Sequence, residues 1–336
     1  MPETSLIDKQ KPILIASSSI DTQSYSAVAN ILAGRGYEVV VYDTDKVVRG
    51  IDILQICMSN DSELSVGYNQ TDISPGSIGS AWYRKVNHFK VDRTEEDVAR
   101  QLHVSNEVQQ LHSSIWQYYP DDLWLNSPRR IVTADSKLVQ LRAAKEVGFS
   151  IPQTVISNDW DYIVSDLMVT NPTIIVKMIR GVISRQNHLK GMYATPLDME
   201  RVAPLKESTI PFPGIYQPFV KKGREWRVTV VGDNIFPVSI YTDESAKDDW
   251  RKHQLNPSVQ FKSEQLPPTV GEKCPRCLSA IGLKYGAFDL IETPEEEVVF
   301  LECNPDGQYG WLEDRLNLPI SDAIAIELAK IATSEF

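Results

Sequence analysis

The segment that most restricts what this chain can fold into is residues 286–311, GAFDLIETPEEEVVFLECNPDGQYGW. Two apolar-rich runs, AFDLIE and VVFLECN, flank a Pro/Glu-rich stretch, and this pattern predicts a β-hairpin. A four-residue loop over 294–297 would place Asp289 directly opposite Glu302. Because side chains alternate along a strand, Asn304 would point to the same face as Glu302. The sequence therefore predicts two carboxylates and an amide side by side.

This predicted face has the chemistry of a magnesium site. Asp289, Glu302 and Asn304 supply only oxygen ligands, which suit Mg²⁺ rather than Zn²⁺. Magnesium sites with few protein ligands are usually completed by substrate phosphates, so we expect a nucleotide-using enzyme. The alternative interpretation is a solvent-facing acidic strand. An Asp followed by Glu-x-Asn and a Gly-bearing turn makes that alternative the weaker one.

Length, charge and cysteine content restrict the class of protein. The 336 residues can form two or three domains. A net charge of −11 argues against nucleic-acid and membrane-surface partners, which need clustered Lys and Arg. The polar start lacks the apolar region of a secretory signal, and no run is long enough to cross a membrane. Four cysteines, including a lone CxxC at 274–277, fit a reduced compartment, so we expect a cytoplasmic protein.

The order of patterns predicts a mixed α/β protein. The strands KPILIAS and YEVVVYD flank a helical pattern, which indicates a βαβ-type N-terminal domain over 1–128. A helix over 135–146 opens a second region, 129–215, and strand-rich antiparallel segments fill a third, 216–336. An amphipathic helix closes the chain.

Several cationic side chains are candidates for phosphate contacts. Lys177 lies in the apolar strand TIIVKMI, where a lysine must either reach water or meet an anion. Glu225 and Arg227 share one strand face and could bind ribose hydroxyls and phosphates, although a cross-strand ion pair is an equal alternative. Arg251 lies in a polar segment and is either a phosphate clamp or a solvated charge.

The order of these segments resembles the ATP-grasp superfamily of carboxylate–amine ligases. The resemblance covers roughly residues 131–330 and includes GFSIPQT, QPFV, E-x-R at 225–227 and E-x-N at 302–304. It implies an ATP-grasp fold of two α+β subdomains that bind ATP between them, preceded by an N-terminal pre-ATP-grasp domain. It also implies that a carboxylate is activated as an acyl phosphate, which a nucleophile then attacks.

The resemblance implies a role for each matching residue. It assigns phosphate contacts to Lys137 and Lys177, adenine recognition to the hinge at Gln217, Phe219 and Val220, ribose binding to Glu225, stabilisation of the transferred phosphoryl group to Arg227 and Arg251, and two Mg²⁺ ions to Asp289, Glu302 and Asn304. Gln217 stands where many members carry Glu. Ala287 stands where D-alanine–D-alanine ligases carry Arg, which points towards the ligases that add glutamate to a ribosomal protein and their relatives.

A narrower resemblance extends over nearly the whole chain. The blocks WYRKVNHF, WLNSPRRIVTADSKLVQLRAAKEVGFSIPQT, DDWRKH and LECNPDGQYGWLE are similar to the graspetide (microviridin-type) peptide maturases. This resemblance implies macrocyclisation of a ribosomal precursor peptide, with a leader and an acidic core, through esters to Ser/Thr or amides to Lys. It also implies a homodimer.

Three other interpretations stay open at this point. A ligase that adds free amino acids to a protein or small molecule would use the same ATP site. A non-catalytic nucleotide-binding regulator would not need the metal ligands. The third interpretation is an α/β protein whose acidic residues lie on the surface and have no function, and such a protein would not require this order of motifs.

Overall fold

The computed structural model describes residues 10–60, 62–86, 98–177, 179, 195–205, 210, 212–242 and 258–334. Within these ranges the strands form four sheets, of which three are successive along the chain and the fourth is a small sheet inside the first region.

A parallel sheet forms the first region. Strand β1 (Ile13–Ser17) is buried along its whole length, and α1 (Thr22–Gly34) connects it to β2 (Val39–Asp43), which confirms the predicted βαβ opening. The order is β2-β1-β6-β7, and all three neighbouring pairs are parallel. The remaining elements are α2 (Thr44–Val48), β3 (Leu54–Ser59), β4 (Ser62–Tyr68), β5 (Thr71–Asp72), β6 (Ser80–Tyr83), α3 (Val98–Tyr118) and β7 (Trp124–Leu125). Strands β3, β4 and β5 form the small antiparallel sheet.

The second region begins with two helices. The single helix predicted over 135–146 is α5 (Lys137–Glu146), and the preceding α4 (Pro128–Ala134) ends before it. Asp135 and Ser136 separate the two helices, because Ser136 has an extended backbone and is the N-cap residue of α5. An antiparallel sheet of order β10-β9-β11-β8 follows. Its elements are β8 (Val155–Ser157), α6 (Trp160–Ile163), β9 (Thr173–Lys177), β10 (Thr195–Asp198), α7 (Met199–Val202) and β11 (Gly214–Pro218).

A five-stranded antiparallel sheet forms the third region, in the order β14-β13-β12-β15-β16. Its elements are β12 (Arg224–Val231), β13 (Asn234–Tyr241), β14 (Gln260–Ser263), α8 (Pro268–Gly271), α9 (Lys273–Ala280), β15 (Tyr285–Glu292), β16 (Val298–Asn304), α10 (Gly310–Leu316) and α11 (Ile320–Thr333). Along β12, Trp226, Val228 and Val230 pack into one hydrophobic cluster with residues of α5 and α9. Glu225 and Arg227 therefore lie on the other face, as the alternation of the sequence predicts.

The last helix, α11, completes the core of the first region. Ile324 and Leu328 are fully buried in one cluster with Ile13 of β1 and Val28 and Leu32 of α1. Burying a side chain of this size stabilises a protein by about 1.5–3 kcal/mol. The C-terminal end of the chain thus packs on its N-terminal sheet.

The mixed α/β architecture, with antiparallel sheets in the second half, is confirmed. The domain limits at 128/129 and 215/216 stay predictions. No helix of the described ranges has both the length and the apolar composition needed to cross a membrane.

Candidate functional site

The β15–β16 hairpin pairs Asp289 with Glu302, as predicted, but its loop is shorter than predicted. The backbone N–H of Thr293 donates to Glu297, which leaves three loop residues, 294–296, rather than four. A β-bulge at Leu301 supplies the extra residue that brings Glu302 opposite Asp289, since Leu290 pairs with Phe300. The predicted four-residue loop is therefore wrong, and the bulge is the reason that the predicted pair still forms.

A row of functional side chains crosses three strands of the sheet. Arg227 on β12 is opposite Asp289 on β15, which is opposite Glu302 on β16. Arg227 Nη1 donates to Asp289 Oδ1 at 2.9 Å, and both side chains are about one-tenth exposed. Asn304 lies two residues beyond Glu302 with regular pairing between them, so it is on the same face. The predicted metal-ligand set is thus brought together on one face.

Lys137 joins this row from the first turn of α5. Its Nζ donates to Glu302 Oε2 at 2.6 Å. Burial alone would lower the pKa of Lys137, but the charge and hydrogen bond of Glu302, with the charges of Asp135 and Asp289, raise it above its ordinary value. Lys137 therefore stays protonated, and each carboxylate of the predicted metal site is paired with a cationic side chain.

The donor set fits Mg²⁺. Two carboxylates and one amide offer oxygen atoms only, and they lie side by side on adjacent strands. Within the described residues, no group of three or more His, Cys, Asp or Glu side chains could hold a metal ion. Few protein ligands are what a site shared with substrate phosphates needs, since Mg²⁺ there takes its remaining ligands from phosphate and water.

The turn after Asn304 connects this row to the first region. Asn304 Oδ1 accepts from the backbone N–H of Asp306 at 3.0 Å. Arg84, which directly follows β6, is fully buried and donates to Asp306 Oδ1 and to the Gly307 carbonyl oxygen, at 2.8 and 2.9 Å. Arg227 Nη2 donates to the Gln308 carbonyl oxygen at 3.3 Å. Two arginines, Arg84 and Arg227, thus donate hydrogen bonds to this turn.

The predicted hinge contains a buried amide. Gln217, on β11, is 3% exposed and its Nε2 donates to Thr154 Oγ1 at 2.9 Å. Among the described residues its Oε1 has no hydrogen-bond partner. The Phe219 backbone N–H donates to the Thr173 carbonyl oxygen, while the Phe219 ring is 37% exposed and Val220 is half-buried. A buried acceptor without a partner is costly, so Gln217 Oε1 is suited to receive a ligand N–H.

Glu225 lies on the same face as Arg227 but does not pair with it. Its Oε1 accepts from Lys222 Nζ at 2.8 Å, and both side chains are about one-tenth exposed. The ion-pair alternative for Arg227 is present in the form of Asp289. The ribose role of Glu225 stays a prediction.

Lys177 and Arg251 are the two remaining predicted phosphate contacts. Lys177 ends β9, is half-buried and pairs in register with Ile215 of the hinge strand. It therefore belongs to the four-stranded sheet and not to the sheet of Asp289. Arg251 lies outside the described residues.

The CxxC pair has no sign of reactivity. Cys274 and Cys277 are fully buried on α9, and burial raises the pKa of both thiols, that of Cys277 to about 12. The thiolate is the reactive and metal-binding form of cysteine. Both residues belong to the hydrophobic cluster behind the sheet.

The sequence interpretation did not single out Arg84 or Asn126 as individual residues. Asn126 Nδ2 donates to the carbonyl oxygens of Tyr285 and Pro305, at 2.8 and 3.2 Å, and its Oδ1 accepts from two backbone N–H groups. The sequence signal for Arg84 is that a charged residue directly follows the apolar strand SAWY.

Comparison with known proteins gives the fold. The MvdD pre-ATP grasp domain family matches residues 12–132. No curated protein matches this chain. A Chryseobacterium gregarium ATP-grasp ligase associated with RiPPs (ribosomally synthesised, post-translationally modified peptides) was solved with ADP and a leader and core peptide. It is 24% identical with a TM-score of 0.83, over 95% of this chain and 97% of that one.

Two macrocyclases of Microcystis aeruginosa are also similar. MdnC, solved with the precursor peptide MdnA, is 24% identical with a TM-score of 0.79. MdnB is 27% identical with a TM-score of 0.72. Each match covers 95% of this chain and 99% of the other. The chain therefore has the ATP-grasp fold, preceded by an MvdD-type pre-ATP-grasp domain, which is the architecture of the RiPP-associated ATP-grasp ligases.

Proposed function

We propose that this protein is an ATP-dependent macrocyclase of a ribosomally synthesised precursor peptide. The observation that carries the proposal is the row formed by Arg227, Asp289, Glu302 and Asn304 in an ATP-grasp fold with an MvdD-type N-terminal domain. Relatives of the same architecture are ligases and macrocyclases that were solved with precursor peptides.

The residues of the row would bind different parts of Mg²⁺-ATP. Asp289, Glu302 and Asn304 would hold Mg²⁺, for which we propose two ions. When bound, Mg²⁺ neutralises phosphate charge and fixes the orientation of the phosphates. Lys137 is paired with Glu302, and Arg227 is paired with Asp289. When Mg²⁺ binds these carboxylates, the two cationic side chains would contact the phosphates instead. Lys177 and Arg251 are proposed as further phosphate contacts.

The nucleotide base and sugar would be held by the hinge and the start of β12. Gln217 Oε1 is a buried acceptor that suits the exocyclic amino group of adenine. The backbone of Phe219 and Val220 would contact the ring edge, and Glu225 would accept from the ribose hydroxyls.

The reaction joins two side chains of one peptide. A carboxylate oxygen of an Asp or Glu attacks the γ-phosphorus and ADP leaves, which gives an acyl phosphate. A Ser/Thr hydroxyl or Lys amine then attacks the acyl carbon, phosphate leaves, and the nucleophile loses its proton. Because both groups belong to one bound peptide, the second step is effectively intramolecular. An ester product and an amide product both arise from this acyl phosphate.

Mass spectrometry of the product tests this proposal. A short peptide encoded beside the gene would be incubated with the enzyme, ATP and Mg²⁺. We expect the loss of one water mass per link, with one ADP released for each. Glu302→Gln should abolish both changes. Wild-type turnover in this variant would contradict the site assignment.

The alternatives give other outcomes in the same experiment. A ligase for free amino acids would add residue masses to an acceptor. A non-catalytic regulator would bind ATP and release no ADP, but such a protein need not keep Asp289, Glu302, Asn304 and Arg227 on one face. The presence of all four residues on one face therefore favours the ligase. A homodimer and a cytoplasmic location stay predictions.

A further inference from the structure

The structure points to Arg84 as a positioning residue of the metal site, although it lies in the N-terminal domain. This inference rests on the proposed function. Arg84 is fully buried, and its guanidinium donates to Asp21 on one side and to Asp306, Gly307 and Gln308 on the other. It thus reaches three consecutive residues of the turn that follows Asn304.

The charge of this cluster is balanced inside the protein. Asp21 and Asp306 surround Arg84, and Lys85 Nζ adds a contact of 3.2 Å to Asp306 Oδ2. The rings of Trp82 and Tyr309 cover the guanidinium, at 5.8 and 5.4 Å from its carbon. A planar guanidinium can serve several acceptors at fixed angles, which a lysine ammonium cannot. The residue type therefore matters, as well as the charge.

The turn has little room to adopt another position. A Cβ on Gly307 would lie 2.4 Å from the Ala287 Cβ and 2.8 Å from Arg227 Nη2. Tyr285 also donates a hydrogen bond to the Gly307 carbonyl oxygen. The backbone of Asp306 in turn orients Asn304 through its N–H at Oδ1. A carbonyl oxygen has two lone pairs, so this bond leaves one for a metal.

We propose that Arg84 fixes the turn at 305–308 and thereby holds Asn304 and Arg227 in the geometry that binds Mg²⁺-nucleotide. The connection runs from β6 of the N-terminal domain to the end of β16. Through these hydrogen bonds the N-terminal domain supports the metal site, although Arg84 itself does not bind the metal.

The test measures metal affinity separately from folding. Arg84→Gln and Arg84→Lys would be compared with the wild type by titration of ADP at a series of Mg²⁺ concentrations, together with thermal unfolding. We expect the Mg²⁺ concentration for half-maximal ADP binding to rise about 10- to 100-fold, the range for loss of an outer-shell partner of a metal ligand. ADP binding without metal should change little.

A matched control separates positioning from domain packing. Arg35 also connects the two ends of the chain, through an exposed pair with Asp322 at 2.9 Å. Arg35→Ala should leave the Mg²⁺ requirement unchanged. If Arg84→Gln does not fold, Arg84→Lys decides, because it keeps the positive charge but loses the planar guanidinium that serves several acceptors of the turn. An unchanged Mg²⁺ requirement in a folded Arg84→Lys variant would overturn the inference. A wild type that needs no Mg²⁺ for ADP binding would overturn the proposed function, and this inference with it.

Discussion

Asp289 and Glu302 lie opposite each other on β15 and β16, and each carboxylate is held by a different cation. Arg227 contacts Asp289 at 2.9 Å, and Lys137 contacts Glu302 at 2.6 Å. Together the two carboxylates and the two cations carry no net charge. Mg²⁺ must displace two cations, and the phosphates of a nucleotide offer those cations new partners. This relationship predicts that metal and nucleotide bind together more tightly than either does alone.

Replacing Lys137 tests this exchange of partners. In Lys137→Met, Glu302 loses its cation, so Mg²⁺ without nucleotide should bind about tenfold more tightly, since two opposite charges about 4 Å apart already interact by roughly 1–4 kcal/mol. Binding of Mg²⁺-ATP should weaken at the same time, because one phosphate contact is lost. Calorimetric titration of each ligand measures both. Lys145→Met, an exposed residue on the same helix, is the control; equal changes in the two variants would rule out the exchange.

The strand pattern and the long-range contacts differ in how well the sequence predicts them. A period of two residues is enough to place Glu302 and Asn304 on one face, because alternation is a property of any strand. The bulge at Leu301 depends on how the hairpin packs, and a sequence pattern does not encode that packing directly. The partners of Arg84 in the turn after Asn304 lie more than 220 residues away along the chain, so no local pattern reveals them. Lys177 and Glu225 lie on strands, as the local pattern of the sequence predicts.

Glu302→Gln should remove Mg²⁺-dependent turnover. The amide keeps the shape of the side chain but loses the charge that a metal needs, and we expect at least about a 100-fold loss, since even outer-shell partners cost up to that much. ADP release measures the effect. Glu295→Gln removes the same charge from the exposed tip of the same hairpin and should keep wild-type turnover. Equal losses in both variants would indicate a general charge effect instead.

Gln217 should determine which base is accepted. Its Oε1 can receive an N–H from the adenine amino group, whereas guanine presents a carbonyl oxygen there. Gln217→Leu should weaken ATP binding about tenfold, the cost of one lost hydrogen bond in a buried site, and should reduce the preference for ATP over GTP. Competition binding with both nucleotides measures this preference. Gln153→Leu, an exposed residue that precedes β8, serves as the control, and an unchanged preference in Gln217→Leu would contradict the assignment.

The N-terminal domain should lose stability in weak acid because of His112. This residue is 1% exposed, its Nε2 lies 2.8 Å from the Tyr42 hydroxyl, and burial lowers the pKa of His112 to about 4. The unfolded chain binds a proton at this residue below its ordinary pKa of about 6.5, while the folded chain does so only below about 4. The free energy of unfolding should therefore fall as pH drops from about 6.5 to 4, by about 1 kcal/mol per pH unit.

Denaturant unfolding at about pH 7.5 and about pH 5.5 measures this contribution. These two values lie about one unit on either side of the ordinary pKa of histidine. His112→Phe removes the titrating group, so its stability should depend less on pH, even if the variant is less stable at both values. His103→Phe changes an exposed histidine of the same helix and should behave like the wild type. The same pH dependence in all three proteins would exclude His112 as the cause.

The most direct test of the proposed chemistry follows oxygen atoms from the peptide carboxylates. The precursor peptide would be prepared with heavy oxygen in its Asp and Glu side-chain carboxylates and incubated with the enzyme, ATP and Mg²⁺. An acyl phosphate that is displaced by a hydroxyl or amine leaves one carboxylate oxygen on the released phosphate. The account predicts one heavy oxygen in phosphate for each link formed. Unlabelled phosphate, released together with cyclised peptide, would contradict activation of the carboxylate and with it the central claim.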